Sequence, residues 1–312
     1  MTAPVSFLWP GPVPDVAPAE VDAKPGAFRT GEEAWVLQTC LRLQAAGRSA
    51  MLVSEPPADG ILVYHARHEP LVAASTRRRS GPLLVVVRGE RSRPLLAHLE
   101  IVQNGRGADR RRRYFVPHWP QPGLRPRRGA RGERLQRLVY LGRVINLHPQ
   151  LMTDRWRRAL ADFGIEWILE EGPGWQDFSA VDAVLAIRPP GRYKNLLKPA
   201  TKLQNAWLAG VPAILGPEPA FRELRRSDLD FLEARDLPGA LDAVRRLQDP
   251  ELYRRFAGRC RERGPAFSAG SCLARWERLL YDELPARAPD LLAAGPRRRG
   301  LIPFGRRWAV EE

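Results

Sequence analysis

Short apolar runs of strand length, separated by amphipathic stretches that close on glycine, constrain this chain more than any other feature. Residues 5–9 form the first run, residues 30–47 carry apolar positions at helical spacing and stop at Gly47, and residues 50–53 form the next run. Strand, helix, glycine and strand make the βαβ unit of an open parallel sheet, because parallel neighbours need a crossover long enough to hold a helix. Residues 61–64, 83–87 and 99–103 continue as strands, with helical or loop segments at 70–74 and 92–98. The pattern then starts again. Residues 137–141 run into Gly142-Arg143, and behind them come a helix at 154–163 and strands at 166–169 and 181–187. A helix around Lys202, a strand at 211–215, and helices at 218–226, 237–248 and 271–284 complete the second series. The predicted class is α/β, with two doubly wound, Rossmann-like domains facing a central cleft. One covers 1–120, a Pro-, Gly- and Arg-rich linker covers 121–134, and the other covers 135–265, with a partly ordered tail at 285–312. Ligands of such sheets bind outside the carboxyl ends of the strands, so the cleft is the default site.

Composition sets the outer bounds. At 312 residues, with 44% hydrophobic and 27% charged positions, the chain has the balance of a soluble globular protein with room for two cores. Its apolar runs fall far short of the ~20 residues that a membrane helix requires. No basic segment precedes the apolar start, so a secretory signal is not expected and the protein reads as cytoplasmic. Cys40, Cys260 and Cys272 and the five histidines lack metal-ligand spacing, so neither a zinc site nor a resident cofactor is expected. The net charge of +15 invites a nucleic-acid partner. The arginines are nevertheless spread along the whole chain, and the dense runs at 77–79, 110–113, 127–128 and 297–299 lack interleaved aromatics for base stacking. No nucleic acid is expected. Peripheral contact with an anionic membrane, worth about 1 kcal/mol per basic residue near the surface, suits the same charge.

Lysine is the exception in a chain of arginines. There are four lysines against 46 arginines, and Lys194, Lys198 and Lys202 fall within nine residues of one another, just ahead of a helix. A compact ammonium on a flexible stem suits a phosphate in a narrow space, where a planar guanidinium is wider. A cationic helix entrance at a sheet edge is an anion site; the plainer alternative is that the three lysines form a solvated helix face.

The segment from Lys198-Pro199-Ala200-Thr201-Lys202-Leu203-Gln204-Asn205 to Gly210-Val211-Pro212-Ala213-Ile214, followed by Gly216-Pro217-Glu218 and Glu223, resembles nucleotide-sugar-dependent glycosyltransferases of the GT-B architecture, nearest the retaining group. Tyr140-Leu141-Gly142-Arg143 is similar to the strand and Gly-Arg turn that open their donor domain, and the helix at 266–284 with Trp276 resembles the one that crosses back to the N-terminal domain. The first half matches in layout, with Gly31-Glu32-Glu33 where the family opens its first helix. The resemblance implies transfer of a sugar from a nucleoside diphosphate to a hydroxyl on a glycan, a lipid-linked or a small-molecule acceptor, of the kind used in bacterial polysaccharide biosynthesis, without a divalent metal. It assigns Arg143 and Lys202 to the diphosphate, with Lys194 and Lys198 as further candidates and Thr201 in the same donor set. Asn205 stands where the family has a glutamate for the ribose hydroxyls, and Leu197 replaces a second glutamate. Glu218 and Glu223 fall where the family binds sugar hydroxyls or ribose, although Glu223 could instead serve the helix dipole.

In the first half, His65 and His68 follow the apolar run 61–64 and so lie at a strand's carboxyl end, facing the cleft. Either suits an acceptor-side base or a hydrogen-bond donor to the transferred sugar. Trp35 faces the cleft or belongs to the core. The competing readings are a catalytically inert scaffold of the same architecture, a sugar-nucleotide epimerase or phosphorylase, and a basic nucleic-acid binder. Release of free nucleoside diphosphate from a donor sugar separates the first reading from these.

Overall fold

A computed structural model describes residues 4–76, 81–91, 96–109, 111–191 and 197–298. The chain divides into two compact units. The first comprises residues 1–15, 31–116 and 275–312, and the second comprises residues 16–30 and 117–274. The N-terminal stretch thus lends residues 16–30 to the second unit, and the division at the other end falls inside a helix.

The first unit is built on strands β1 (Val5–Leu8), β2 (Ala50–Val53), β3 (Ile61–His65) and β4 (Leu83–Val87). The two-residue β5 (Leu96–Ala97) stands apart, and β6 (Leu99–Val102) and β7 (Arg113–Phe115) complete the sheet. The order is β2-β1-β3-β4-β6-β7 with every pairing parallel. Strands β1, β3, β4 and β6 are buried along their whole length, as a parallel sheet covered on both faces demands. The strand order reverses between β1 and β3, which puts His65, the last residue of β3, beside the switch point. Helix α1 (Gln38–Ala45) follows a π-helical turn at Glu33–Leu37, and together they bury Trp35, Val36, Leu37, Cys40 and Leu41, so Trp35 belongs to the core. Helix α2 (Glu69–Thr76) follows β3.

In the second unit, β8 (Arg137–Leu141), β9 (Glu166–Glu170), β10 (Ala183–Ala186), β11 (Ala213–Leu215) and β12 (Leu232–Glu233) form an all-parallel sheet in the order β12-β11-β10-β8-β9. Helices α3 (Asp154–Asp162), α4 (Thr201–Ala209), α5 (Pro219–Leu224), α6 (Leu237–Leu247), α7 (Pro250–Arg263) and α8 (Ala269–Glu277) accompany it. The core holds Trp156, Trp207, Phe221, Phe231, Tyr253 and Phe256. The sequence predicts α4 as an amphipathic helix. Leu203, Gln204, Asn205, Ala206, Trp207 and Ala209 are all buried, so the helix is enclosed on nearly every side. It ends at Gly210, whose φ of 72° is the left-handed geometry glycine adopts without strain.

One buried carboxylate ties the linker to this sheet. Asp182, fully buried just before β10, accepts hydrogen bonds from Arg127 and Arg131 and from the backbone N–H groups of Gln136 and Arg137. Burial works against its charge, but these donors outweigh it and hold the carboxyl below its ordinary range.

The C-terminal tail opens with a helix. Helix α9 (Leu284–Ala293) occupies its first part, buries Leu284 and Leu291, and carries Pro285 in its first turn, where no backbone N–H is required. Arg287 on this helix donates to Arg111 O at 2.6 Å, and β13 (Arg297–Arg298) pairs antiparallel with β5.

Candidate functional site

The strand order of the second unit reverses between β8 and β10, and the loops leaving those two strands bring charged side chains together. Leu141, the last residue of β8, is followed by Gly142 with φ 149°, in the region that favours glycine. A Cβ on Gly142 would stand 2.8 Å from Lys202 Nζ and 3.3 Å from the Tyr140 hydroxyl, so the turn needs glycine for space as well. Tyr140 donates to Arg143 O at 2.9 Å, Gly142 N–H to Glu170 O at 3.0 Å, and Val144 N–H to Glu171 Oε1 at 2.6 Å. These bonds fix the turn.

Lys202, in the first turn of α4, donates to Leu141 O and lies 4.6 Å from the centre of the Tyr140 ring. Part of the residue remains exposed, yet its ammonium is strongly desolvated. Burial first, then repulsion from Arg188, pushes its pKa down to about 7; Lys198 adds to the effect and Glu218 opposes it. At neutral pH this lysine stands near the midpoint of its titration, whereas an anion beside it would hold the proton on. Arg188, two residues beyond β10, donates through Nη1 to Glu218 Oε1 at 2.9 Å, with side-chain exposures of 11% and 4%. Glu218 occupies the residue before α5, with Gly216 packed against its carboxylate.

The structure therefore groups Lys202, Arg188, Glu218 and Lys198. Arg143 contributes its carbonyl to the turn and exposes its side chain, and it is not among the charges that dominate at Lys202. Thr201 opens α4 beside Lys202. Asn205 is buried, and its Oδ1 accepts from Gln121 N–H at 3.2 Å, fastening the linker to α4. Glu223 lies half-buried in α5. Lys194 falls outside the described residues. Arg188 escapes a reading of the sequence because one arginine among 46 carries no contrast; its place directly after the apolar run 181–187 was the available signal.

Asp228-Leu229-Asp230 has the Asp-x-Asp spacing of a divalent-metal site, which the expectation of metal independence passes over. Asp230 is buried and taken up by Arg259, Arg263 and the N–H groups of Arg226 and Ser227, while the Asp228 side chain is fully exposed. The triplet is a structural corner. Among the described residues no three His, Cys, Asp or Glu side chains converge as a metal would need.

In the first unit, His65 is buried and its Nδ1 accepts from Arg67 N–H at 3.4 Å. Burial first, then the positive charges of Arg91 and Arg67 against the opposing Glu32, pushes its pKa down to about 4, so the imidazole is neutral at physiological pH. Gly89, φ 58°, lies against its Nε2, where a Cβ would come within 2.6 Å. His68 is committed elsewhere: its Nε2 bonds Glu32, whose other oxygen accepts from Arg67 at 2.7 Å.

No family model matches the sequence, and no curated protein matches it. Solved structures do match in shape. AviGT4, a glycosyltransferase involved in avilamycin A biosynthesis, superposes with a TM-score of 0.53 at 17% identity, over 95% of this chain and 99% of that one. HepE from Anabaena, solved with UDP and glucose, gives 0.54 at 11% over 90% and 100%. A glycosyltransferase from Rickettsia africae gives 0.57 at 7% over 91% and 98%. The chain has the GT-B fold. At these identities the likeness is one of fold, so within GT-B the chemistry must be argued from this chain's own side chains. No described helix is long and apolar enough to cross a membrane.

Proposed function

We propose that the protein is a metal-independent glycosyltransferase that moves a sugar from a nucleoside-diphosphate sugar to an acceptor hydroxyl, with the donor's diphosphate held by the second unit. The observation that carries this reading is the desolvated Lys202 ammonium at the β8–β10 switch point, in a chain with the GT-B fold. Switch points of parallel sheets are where such folds take phosphorylated ligands. UDP and glucose in HepE make a sugar nucleotide the natural ligand to test here.

The chemistry asked of the site is electrostatic. A nucleoside-diphosphate sugar carries about two negative charges at neutral pH, and the departing nucleoside diphosphate gains more as the bond from the anomeric carbon to its oxygen breaks. A cation placed where that charge grows stabilises the transition state more than the ground state, an effect worth about 3 kcal/mol per well-placed group. Lys202 suits the role because its desolvation is relieved when an anion arrives. Thr201 and the first N–H groups of α4 lie beside it, and Lys198 adds positive potential. Glu218 and Glu223 are the candidate acceptors for sugar or ribose hydroxyls, and Asn205 supports α4 through the linker. The acceptor, a glycan, a lipid-linked sugar or a small molecule, brings the hydroxyl that forms the new bond.

Of the two histidines of the first unit, His65 fits an active role better. With Nδ1 accepting a backbone N–H, the neutral ring carries its proton on Nε2 and acts as a hydrogen-bond donor to a sugar hydroxyl, not as a base. His68 supports the Glu32 and Arg67 cluster.

The test is incubation of the purified protein with a panel of UDP-, ADP- and GDP-sugars, with free nucleoside diphosphate measured in the presence of candidate acceptors and of a metal chelator. Chelator-resistant release that falls at least a hundredfold in Lys202→Met is the expected result. Full release by that variant would remove the ammonium from the mechanism.

A further inference from the structure

The pair between Arg188 and Glu218 is only half made. A guanidinium and a carboxylate can share two parallel hydrogen bonds, yet Arg188 Nη1 to Glu218 Oε1 at 2.9 Å is the one that joins them. Glu218 Oε2 and Arg188 Nε are both buried without a hydrogen-bond partner. Gly216 leaves room beside this oxygen, since a Cβ there would stand 2.7 Å from Oε2. Buried polar atoms are almost always satisfied, so an unmatched donor and an unmatched acceptor side by side at a switch point call for a ligand that offers both an anionic oxygen and a hydroxyl.

We propose that Glu218 stands in for a phosphate, holding Arg188 in the unliganded protein and releasing it to a nucleoside diphosphate that enters beside Lys202. The inference rests on the donor-site reading above and adds Arg188 to it as an anion ligand. Arg188 and Lys202 already sense one another and the carboxylate of Glu218. On entry, Nε and a terminal nitrogen of Arg188 take two phosphate oxygens in the fork geometry that Glu218 does not fill, and the freed carboxylate is left to accept a hydroxyl of the same ligand. Because Glu218 stays close, its charge competes with the bound diphosphate. That competition speeds departure of the spent nucleotide, a step that often limits turnover.

The experiment is calorimetric titration with inorganic pyrophosphate, UDP, ADP and GDP of the wild type, Glu218→Gln, Arg188→Met, the double variant and Lys202→Met, each checked for an unchanged circular dichroism spectrum. Glu218→Gln keeps the shape and removes the competing charge, so pyrophosphate should bind about tenfold more tightly, and Arg188→Met should bind it about tenfold more weakly. In the double variant the gain from Glu218→Gln should vanish, because there is no guanidinium left to release. Unchanged or weaker binding by Glu218→Gln, or a gain that survives the loss of Arg188, overturns the proposal. Should Arg188→Met fail to fold, Arg188→Lys keeps the charge without the fork and should lose the same gain in part. If the wild type binds and Lys202→Met does not, while the Arg188 and Glu218 variants match the wild type, this inference alone is wrong. If the wild type binds none of these anions, the donor-site reading falls with it.

Discussion

Replacing Lys202 with methionine should make the protein more stable while it loses its ligand. The folded state holds the ammonium at a pKa of about 7 against an ordinary 10.5. Between those values the unfolded chain binds a proton that the folded protein does not, so stability rises with pH across that window. Below pH 7 both states are protonated and the whole displacement weighs against folding, roughly 5 kcal/mol at 1.36 kcal/mol per pH unit. By pH 9 about 2 kcal/mol of it remains. Lys202 keeps some exposed surface, and solvent screening reduces both figures; halving them leaves about 2 kcal/mol at pH 6 and about 1 kcal/mol at pH 9. Methionine fills most of the stem's volume without the charge. For a unit of this size the gain corresponds to a rise in Tm of about 4–8 °C at pH 6 and about half that at pH 9. Differential scanning calorimetry of both proteins at the two pH values, following the transition of the second unit, is the assay. A methionine variant that melts below the wild type at pH 6, or a difference indifferent to pH, would mean that the ammonium is not strained by its burial, and the case for an anion beside it would fail with it. Trade of stability for function at a single side chain is expected where a charge is kept out of water for a ligand's sake.

Two further outcomes follow from the same geometry. Gly142→Ala places a Cβ 2.8 Å from Lys202 Nζ on a backbone at φ 149°, so it should destabilise the second unit by about 1–3 kcal/mol and abolish pyrophosphate binding; a variant that titrates like the wild type would show that the turn is not part of the anion site. Asp182→Asn leaves the Arg127 and Arg131 guanidinium groups without their shared carboxylate, and urea unfolding should report a loss of about 3–5 kcal/mol. An unmoved urea midpoint would refute the view that this carboxylate anchors the linker.

Much of this was legible in the sequence because the fold and the lysine site each left a contrast. Parallel strands buried on both faces read as unbroken apolar runs, and glycine stops such as Gly47 and Gly210 mark where helices end, so β1 to β4 and β8 to β11 were recoverable from periodicity. Lys202 stood out because the rest of the chain uses arginine. What was not legible depended on partners distant in sequence. Glu218 between two prolines looked functional on local grounds, but Arg188, thirty residues earlier, is what defines its chemistry. Asn205 was expected, by resemblance, to meet ribose hydroxyls, yet its side chain accepts from Gln121 of the linker. The two-residue β12 is too short to leave a pattern, and the extension of the C-terminal helices past Pro285 was hidden because proline usually ends a helix and here begins one.

These failures share a cause that bears on the site itself. Sequence periodicity records which face of an element is buried, and that is settled within the element; charge pairing is settled between elements, after the sheet has been assembled. The β8–β10 reversal brings Leu141 and Arg188 to one edge although 46 residues separate them in the chain, and α4 then presents Lys202 to both. The cations of the site repel one another in the absence of a ligand, so burial of the surrounding core must hold them together. Trp207 and Leu203 on α4, both fully buried, supply that burial from the same helix that carries Lys202. Enclosure of α4 on nearly all sides keeps it from tilting; on the donor-site proposal, a helix free to tilt would let the ammonium escape to water and lower its affinity for an anion to that of an ordinary surface lysine.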